Sequence, residues 1–336
     1  MRDRRSLVVV VILCLGATGL CVCCGVPAAL YVAIPQKPDE PAWERCGLGE
    51  RSVRGIAVAR DGRIWAATEA AGAGDVYESR DACTTAQPLG LDTDVVWGVD
   101  WMSRTGELCA SARGALYCGP PGALTRYPLR PGDDVYWVVD PLDASSPDRL
   151  LTGGFPTVSA RSSGQLVEVE RLGYASSAAV VTSWGTLVGG RTLRVSTDGG
   201  RSFTDVVPGL SEPVHALVAR GDVVYAAGGF ADPLLARSAD GGRTWTELDS
   251  PGAQPESLLM PSEDPNVVVL GTHGLLGPGD AWLSRDGGVE WTALGCPGAE
   301  IHALAADSQY LYCGATALSG ASGMWRAPRS HLGIPR

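Results

Sequence analysis

Ser238-Ala-Asp-Gly-Gly-Arg-Thr-Trp245 is the stretch of this sequence that decides the fold, because the chain carries close copies of it. The other two are Ser196-Thr-Asp-Gly-Gly-Arg-Ser-Phe203 and Ser284-Arg-Asp-Gly-Gly-Val-Glu-Trp291. The three aspartates lie 42 and 46 residues apart along the chain. Self-similarity at this spacing indicates a repeated structural unit and suits a propeller blade of four short strands.

The residue types of the motif point to a structural role. Asp-Gly-Gly between apolar stretches is typical of a hairpin turn, because glycine adopts positive φ and an Asp carboxylate accepts backbone N–H bonds. A catalytic acid or cation ligand is needed once, whereas these residues recur in every copy, so we expect each motif to staple one turn. The expected structural residues are Ser196, Asp198, Gly199, Phe203, Ser238, Asp240, Gly241, Trp245, Ser284, Asp286, Gly287 and Trp291.

The strand pattern also recurs away from the motif. Ala216–Ala227 aligns without gaps to Ile56–Ala67 and to Ala303–Gly314. Weaker units begin near Val95, Val135, Ala178 and Ser257, and Ser79-Arg-Asp-Ala-Cys83 looks like a degenerate motif. The sequence therefore predicts an all-β, seven-bladed β-propeller, with six or eight blades as the alternatives.

The N-terminal end of the repeat region is expected to complete the last blade. Trp43–Leu48 resembles Phe203–Leu210 and Trp291–Cys296, the segments that follow a motif as fourth strands. We expect it to supply the outer strand that the last blade lacks, which joins the ends of the ring and leaves fewer exposed edges.

The first part of the chain is predicted to be a membrane segment. Residues 7–34 contain no charged side chain, and Arg2, Arg4 and Arg5 precede them. A bilayer requires about 20 apolar residues, and the run exceeds the core of an ordinary signal peptide. We predict one transmembrane helix, an uncleaved signal anchor. A signal peptide cleaved near Val26-Pro-Ala28, a lipoprotein and a buried helix are the alternatives.

Positive charge before the segment places its N-terminus in the cytoplasm and the propeller on the extracytoplasmic side, at the cell surface or in the periplasm. The expected organisation is a stub over 1–6, the anchor over 7–34, a linker over 35–42, the propeller over 43–328 and a tail over 329–336. Lys37 is the only lysine, which is typical of a GC-rich bacterial genome.

Cysteine usage agrees with an oxidising compartment. Cys109 and Cys118 flank Arg113-Gly114 symmetrically, so a two-residue turn would place them directly opposite each other. We predict that disulfide, with free buried thiols as the alternative. Three pairings remain open for the other cysteines of the propeller region, which are Cys46, Cys83, Cys296 and Cys313.

The repeats resemble the Asp-box (BNR) family of propellers over about residues 43–328. That family includes sialidases, xyloglucan-cleaving glycoside hydrolases, sortilin-type receptors and photosystem II assembly-factor-like proteins. Its sialidase branch implies an Arg-(Ile/Leu)-Pro motif near the start. This chain has no such motif, and the most similar segment is Gly62-Arg-Ile-Trp65. The photosystem-factor branch implies an arginine patch, for which Arg54, Arg60 and Arg63 are the nearest cluster.

Few residues indicate a catalytic, metal-binding or ligand-binding site. The four histidines lack the spacing of metal ligands, and no motif implies a cofactor. His215 and His302 occupy equivalent positions of two repeats and would join Trp97 and Trp137 in a ring at the channel mouth, unless they are repeat-encoded packing. Asp100, Asp140 and Glu256 lie near strand starts and are the candidates for a glycosidase carboxylate pair, with a role in turns as the alternative for most of them.

The net charge of −10 argues against a nucleic-acid or anionic-membrane surface. The sequence therefore predicts a membrane-anchored, non-enzymatic scaffold that binds a protein or glycan on a loop face, with no catalytic or metal residue assigned. An exo-acting, sialidase-like glycoside hydrolase is the alternative.

Overall fold

The structure is a computed structural model that describes residues 43–335, except 92, 141–148, 163, 173, 207–209, 230–231, 252–253, 275–278 and 317–321. The chain divides into two compact units, Met1–Pro38 and Asp39–Arg336. The predicted membrane segment, residues 7–34, lies outside the described residues. Among the residues that are described, none belongs to a helix with the length and apolarity to cross a membrane.

The second unit is built from short antiparallel strands that follow one another in sets of four. A two-residue strand, β1 (Glu44–Arg45), precedes the first set. The first set is β2 (Ser52–Val58), β3 (Ile64–Gly74), β4 (Val76–Ser79) and β5 (Gln87–Pro88). The second is β6 (Thr93–Met102), β7 (Glu107–Ala112), β8 (Ala115–Gly119) and β9 (Thr125–Pro128). The third is β10 (Asp134–Val139), β11 (Leu150–Phe155), β12 (Thr157–Ser162) and β13 (Gln165–Arg171).

The remaining sets repeat this order. They are β14 (Ser176–Val181), β15 (Thr186–Gly190), β16 (Arg194–Ser196) and β17 (Thr204–Asp205), followed by β18 (Val214–Arg220), β19 (Val223–Gly228), β20 (Leu234–Ser238) and β21 (Thr246–Glu247). Next come β22 (Gln254–Leu259), β23 (Val268–His273), β24 (Ala281–Ser284) and β25 (Thr292–Ala293). The last strands are β26 (Glu300–Ala306), β27 (Tyr310–Thr316) and β28 (Gly323–Pro328).

The last three strands receive their fourth partner from the start of the described chain. β1 pairs with β28, with Glu44 opposite Arg326 and Arg45 opposite Trp325. The Trp43 indole N–H donates to the Leu294 carbonyl at 2.9 Å, and a disulfide joins Cys46 to Cys83 in the first set. One short segment therefore contacts the last strands and the first set together.

Apolar side chains are buried between consecutive sets. One cluster places Trp137 and Leu151 of the third set against Val188 and Phe203 of the fourth. Another joins the end of the chain to its beginning, because Tyr312 and Met324 pack with Val53 and Ile64 of the first set. Burial of this kind stabilises by about 25 cal/mol per Å² of apolar surface removed from water. The succession of sets is thereby closed into a ring.

The first strand of every set carries an irregularity at the same place. In β2 the register shifts between Val53 and Gly55, so no residue of β3 lies directly opposite Arg54 in the strand register. The same shift occurs in β6, β10, β14, β18, β22 and β26. A bulge of this kind bends the strand and re-aims the extra side chain. Each first strand therefore presents one side chain that the regular ladder would direct elsewhere.

The recurring Asp-Gly-Gly turns show one hydrogen-bond pattern. Asp240 accepts the backbone N–H groups of Arg243 and Thr244 at 3.0 and 2.9 Å and the Thr244 hydroxyl at 2.7 Å. The Ser238 hydroxyl donates to Asp240 and accepts the Gly242 N–H. The turns at Asp198 and Asp286 repeat these bonds. The turn at Asp286 lacks the hydroxyl bond, because Glu290 replaces Ser or Thr there.

The degenerate copy at Ser79 forms the same turn with different residues. Asp81 accepts the Thr85 N–H at 2.9 Å, and Ser79 accepts the Cys83 N–H at 2.9 Å. Ala82 and Cys83 hold φ values of 54° and 69° where the other copies have two glycines. Non-glycine residues rarely adopt this region. The disulfide from Cys83 to Cys46 covalently constrains one of them.

Two further disulfides lie in the strands and their connections. Cys109 and Cys118 are directly opposite each other on β7 and β8 and are bonded. Cys296 is joined to Cys313 of β27. Together with Cys46–Cys83, these bonds resolve the pairing that the sequence left open for the remaining cysteines.

The turn network predicts the effect of removing one carboxylate. Asp240→Ala should lower the free energy of unfolding by about 1–2 kcal/mol, because several backbone and hydroxyl donors lose an ionised but solvent-exposed acceptor. Asp249→Ala, in an exposed segment of the same set, is the matched control. Chemical denaturation of both variants measures the difference.

The same substitution should also show a characteristic pH dependence. The hydrogen bonds from Thr244 lower the pKa of Asp240 from 3.8 to about 2. A carboxylate with a lowered pKa contributes stability that is present above the unfolded value and lost as pH falls through the folded value. The gap between wild type and Asp240→Ala should therefore shrink between pH 4 and pH 2. A gap that is constant over this range would contradict the role of the carboxylate.

Candidate functional site

A cavity of about 600 Å³ lies at the centre of the ring. Its wall is made by β2, β6, β10, β14, β18, β22 and β26, the first strand of each set. The volume falls within the range of sites that hold small ligands.

The bulged side chains form the mouth of this cavity, and we call them the rim. Because the register shift recurs at one position, the rim collects a single residue from each first strand. Its members are Arg54, Trp97, Tyr136, Ser177, His215, Glu256 and His302.

The cavity wall changes character two residues further along each strand. There the side chains are aliphatic and form an apolar collar below the rim. The collar consists of Ile56, Val99, Val138, Ala179, Leu217, Leu258 and Leu304.

One side of the mouth carries a charged cluster. The Arg54 guanidinium pairs with Glu69 at 2.6 Å. His302 Nε2 lies 3.1 Å from Glu300 Oε2 and 3.4 Å from Arg54 Nη1. Glu256 lies 3.8 Å from a ring nitrogen of His302 and 3.8 Å from one of His273. We use "charged cluster" below for Arg54, Glu69, Glu256, His273, Glu300 and His302.

Burial and neighbouring charges move the titration of this cluster. Burial, with a contribution from the charge of Glu300, raises the pKa of Glu256. Burial and then the charge of Arg54 lower the pKa of His302. Burial opposes ionisation of Glu300, but hydrogen bonds from His302 and Thr316 outweigh it and lower the pKa. Glu300 is thus the stabilised carboxylate of the cluster, and Glu256 is the destabilised one.

Two aromatic rings continue the rim beside Arg54. Trp97 and Tyr136 meet edge to face with centroids 5.6 Å apart. The guanidinium groups of Arg54 and Arg113 lie 5.7 and 5.8 Å from the Trp97 ring, within range of cation–π attraction. The Trp97 indole N–H is buried and has no hydrogen-bond partner among the described residues.

The structure brings the four sequence-predicted ring residues to one cavity. Trp97, His215 and His302 occupy equivalent bulge positions. Trp137 also lines the cavity, but it is buried and its indole N–H donates to Ser176 at 3.2 Å. The equivalent position on that strand belongs to Tyr136. Burial lowers the pKa of His215. A binding role for these four residues stays a prediction.

The structure places the three candidate carboxylates in different surroundings. Asp100 and Glu256 both line the cavity, whereas Asp140 pairs with Arg104. Asp100 faces the cavity and not bulk solvent, so burial raises its pKa from 3.8 to about 7, although the Val138 N–H donates to it. Among the described residues, no group of three or more His, Cys, Asp or Glu side chains is arranged to hold a metal ion.

The remaining rim positions were not identified from the sequence. Tyr136 and Ser177 were missed, and Arg54 was grouped with Arg60 and Arg63. Arg54 is near the start of β2, and the other two lie in the turn beyond its end. A signal was present for His215 and His302, because each directly precedes a segment that aligns between repeats. It was visible only for the two histidines, whose residue type repeats.

Comparison with known proteins shows the fold. No protein-family model matches the sequence, and no curated protein is similar to it in sequence. The structure is similar to virginiamycin B lyase from Staphylococcus aureus, with a TM-score of 0.67 and 14% identity over 85% of this chain and 97% of that chain. It is also similar to YCF48 from Cyanidioschyzon merolae, with a TM-score of 0.61 and 15% identity over 85% of this chain and 98% of that one.

Two neighbours were solved as assemblies. YCF48 bound to a D1 peptide has a TM-score of 0.62 and 15% identity, over 88% of this chain and 97% of the other. A chain of the mitotic checkpoint complex has a TM-score of 0.65 and 13% identity, over 94% of this chain and all of the other. These neighbours are β-propellers, so the chain has a β-propeller fold.

The buried carboxyl of Asp100 predicts a stability change. A raised pKa means that the native state resists ionisation of Asp100. The free-energy cost of the ionised carboxylate therefore grows as the pH rises from 3.8 to about 7, and it stays constant at higher pH. Asp100→Asn removes this cost and should raise the free energy of unfolding at pH 8 by about 1–4 kcal/mol, with little effect near pH 4.

Denaturant unfolding at both pH values tests this prediction. Asp94→Asn, at an exposed position of the same strand, is the control and should have no comparable effect. Equal behaviour of the two variants at pH 8 would contradict the proposed burial of the Asp100 charge.

Proposed function

We propose that this protein is a membrane-anchored, extracytoplasmic, seven-bladed β-propeller of the Asp-box (BNR) type that binds a protein partner through its rim. The seven-blade count is supported by the recurrence of one bulged first strand in every set. The Asp-box assignment is supported by the shared hydrogen bonds of Asp198, Asp240 and Asp286.

The location is supported by two independent features of the chain. Residues 7–34 are uncharged and follow three arginines, as in a signal anchor with its N-terminus inside. The propeller contains three disulfides. Disulfides form and persist mainly in oxidising compartments such as the periplasm and the cell exterior.

The binding proposal rests on the variety of residue types at the rim. At positions with a structural task the repeats keep one residue type, as with the Ser and Asp of the turns. At the rim, equivalent positions hold arginine, tryptophan, tyrosine, serine, glutamate and two histidines. Repeat-encoded packing would favour uniform residues. A surface that recognises one asymmetric ligand needs different chemistry at each point of the ring.

A protein partner fits the character of this face. Aromatic and arginine side chains at the centre of a contact surface contribute most to protein binding, and Arg54, Trp97 and Tyr136 are adjacent on the rim. Two structural neighbours were solved with protein or peptide partners. A glycan is the alternative ligand of the same face.

Site-specific photocrosslinking in the native membrane tests the proposal. A benzoylphenylalanine at Ser177, a small rim residue, should yield a discrete adduct, and the same group at the exposed Val289 on an outer turn should not. Trp97→Ala in the Ser177 background should abolish the adduct. An adduct that forms equally at both positions, or persists without Trp97, would refute recognition through the rim.

The membrane topology is tested separately. Full-length protein should sediment with membranes, and protease added to spheroplasts should degrade the propeller. Recovery in the soluble cytoplasmic fraction would refute the anchored location.

Glycoside hydrolysis is the second candidate, because two carboxyl groups with raised pKa, Asp100 and Glu256, line one cavity. Glycosidases pair a protonated carboxyl with an ionised one. The missing Arg-(Ile/Leu)-Pro motif disfavours a sialidase.

We expect no turnover of fluorogenic glycosides by the full-length protein. Turnover that is lost in both Asp100→Asn and Glu256→Gln, but kept in the control Glu263→Gln, would replace the binding proposal with hydrolysis.

A further inference from the structure

We infer that the rim holds a cationic group, the amine or guanidinium of a basic side chain, against the carboxylate of Glu256. This inference rests on the proposed function, because the basic side chain is that of the bound protein partner. The site belongs to the charged cluster and to the apolar collar beneath it.

The net negative charge of the charged cluster favours binding of a cation. Glu69, Glu256 and Glu300 contribute three carboxylates against the single guanidinium of Arg54. With neutral histidines the formal charge is −2, and it remains negative if one histidine is protonated. Coulomb attraction in a partly enclosed site is stronger than in bulk water. The cavity mouth therefore attracts a positive group.

Glu256 is the unsatisfied member of the cluster. Glu300 accepts hydrogen bonds from Thr316 and His302, and Glu69 accepts one from Arg54. Glu256 makes no hydrogen bond to the described residues, and its closest ring nitrogens are 3.8 Å away. Its side chain is only 20% exposed. A partly buried carboxylate without a donor is costly, and a bound cation that donates to it would remove that cost.

An anionic ligand finds no free Lys or Arg side chain among the described residues that line this cavity. Arg54 is the only Lys or Arg side chain among the lining residues, and Glu69 already pairs with it at 2.6 Å. Arg113 lies near the Trp97 ring but is exposed and outside the lining. A carboxylate or phosphate would therefore meet the negative face of the mouth.

The rest of the cavity suits the stem of a basic side chain. Lysine and arginine bury their methylene groups on apolar surface while the charged head stays with polar partners. Leu258 and Leu304 of the collar follow Glu256 and His302 by two residues on their strands. Trp97 and Tyr136 add aromatic faces, which favour adjacent cations.

Agmatine, a guanidinium on an alkyl chain that ends in an amine, is the probe for this site. Saturation-transfer NMR on full-length protein in detergent should detect agmatine binding, with glutarate as the anionic probe and 1,5-pentanediol as the neutral one. Glu256→Gln, which keeps the side-chain shape, should weaken agmatine binding at least about tenfold, because one partner of a desolvated charge pair is lost.

Two further variants complete the test. Glu69→Gln, which leaves Arg54 unneutralised, should also weaken agmatine binding. Glu263→Gln, at an exposed glutamate in the connection between β22 and β23, should leave it unchanged. Thermal unfolding of each variant verifies that it is folded.

Lowering the pH should weaken agmatine binding as Glu256 takes up a proton. Arg54 on β2, His273 on β23, and Glu300 and His302 on β26 are the titratable groups that face Glu256 and set this transition.

Three results would overturn the inference: no agmatine binding, equal agmatine binding in Glu256→Gln, or binding of glutarate in preference to agmatine. Failure here is separable from failure of the proposed function. If the Ser177 adduct forms and depends on Trp97 while agmatine does not bind, the rim recognises its partner through another group. If agmatine binds but no adduct forms, the cation site exists and the protein-binding proposal fails.

Discussion

Closure of the ring is the constraint on which the other features depend. A strand set of this size exposes unpaired edges and two apolar faces, and it buries both faces only when another set packs against each side. The last set meets the first through Tyr312, Met324, Val53 and Ile64. Only two residues of β1 pair with β28, so the Trp43 hydrogen bond and the Cys46–Cys83 disulfide reinforce a short ladder. The central cavity exists because these contacts hold the first strands around one axis.

In the repeats that carry the motif, the turn between the third and fourth strands is constant, whereas the rim residue of the first strand varies. At the outer turns, Ser and Asp recur because a backbone that turns sharply needs the same acceptors each time. At the axis, the bulge recurs as a backbone feature and leaves the side chain free to vary. This separation explains how one architecture presents six residue types at seven rim positions without altering the turns that hold it together.

The electrostatics of the cavity follow from enclosure. Water is displaced by aliphatic walls at the collar, so a carboxyl such as Asp100 loses hydration and its pKa rises to about 7. At the mouth, hydrogen bonds from His302 and Thr316 offset the same loss of hydration for Glu300, whereas Glu256 has no such donors among the described residues. The difference between these carboxylates comes from the donors on the same or adjacent strands of the same set, and the residue type, glutamate in each case, does not reveal it.

The amino-acid sequence alone determined the repeat, the strand-and-turn character of the chain and the role of Asp198, Asp240 and Asp286, because a tight turn is a local structure specified by adjacent residues. It also placed His215 and His302 at equivalent positions, since their shared residue type made the register visible. Tyr136 and Ser177 could not be found in this way, because equivalent rim positions differ in chemistry. The pairing of Cys46 with Cys83, the charged cluster around Glu256 and the burial of Asp100 were decided only by the tertiary structure. Each joins residues far apart in the chain, and only the closed ring brings them within contact distance.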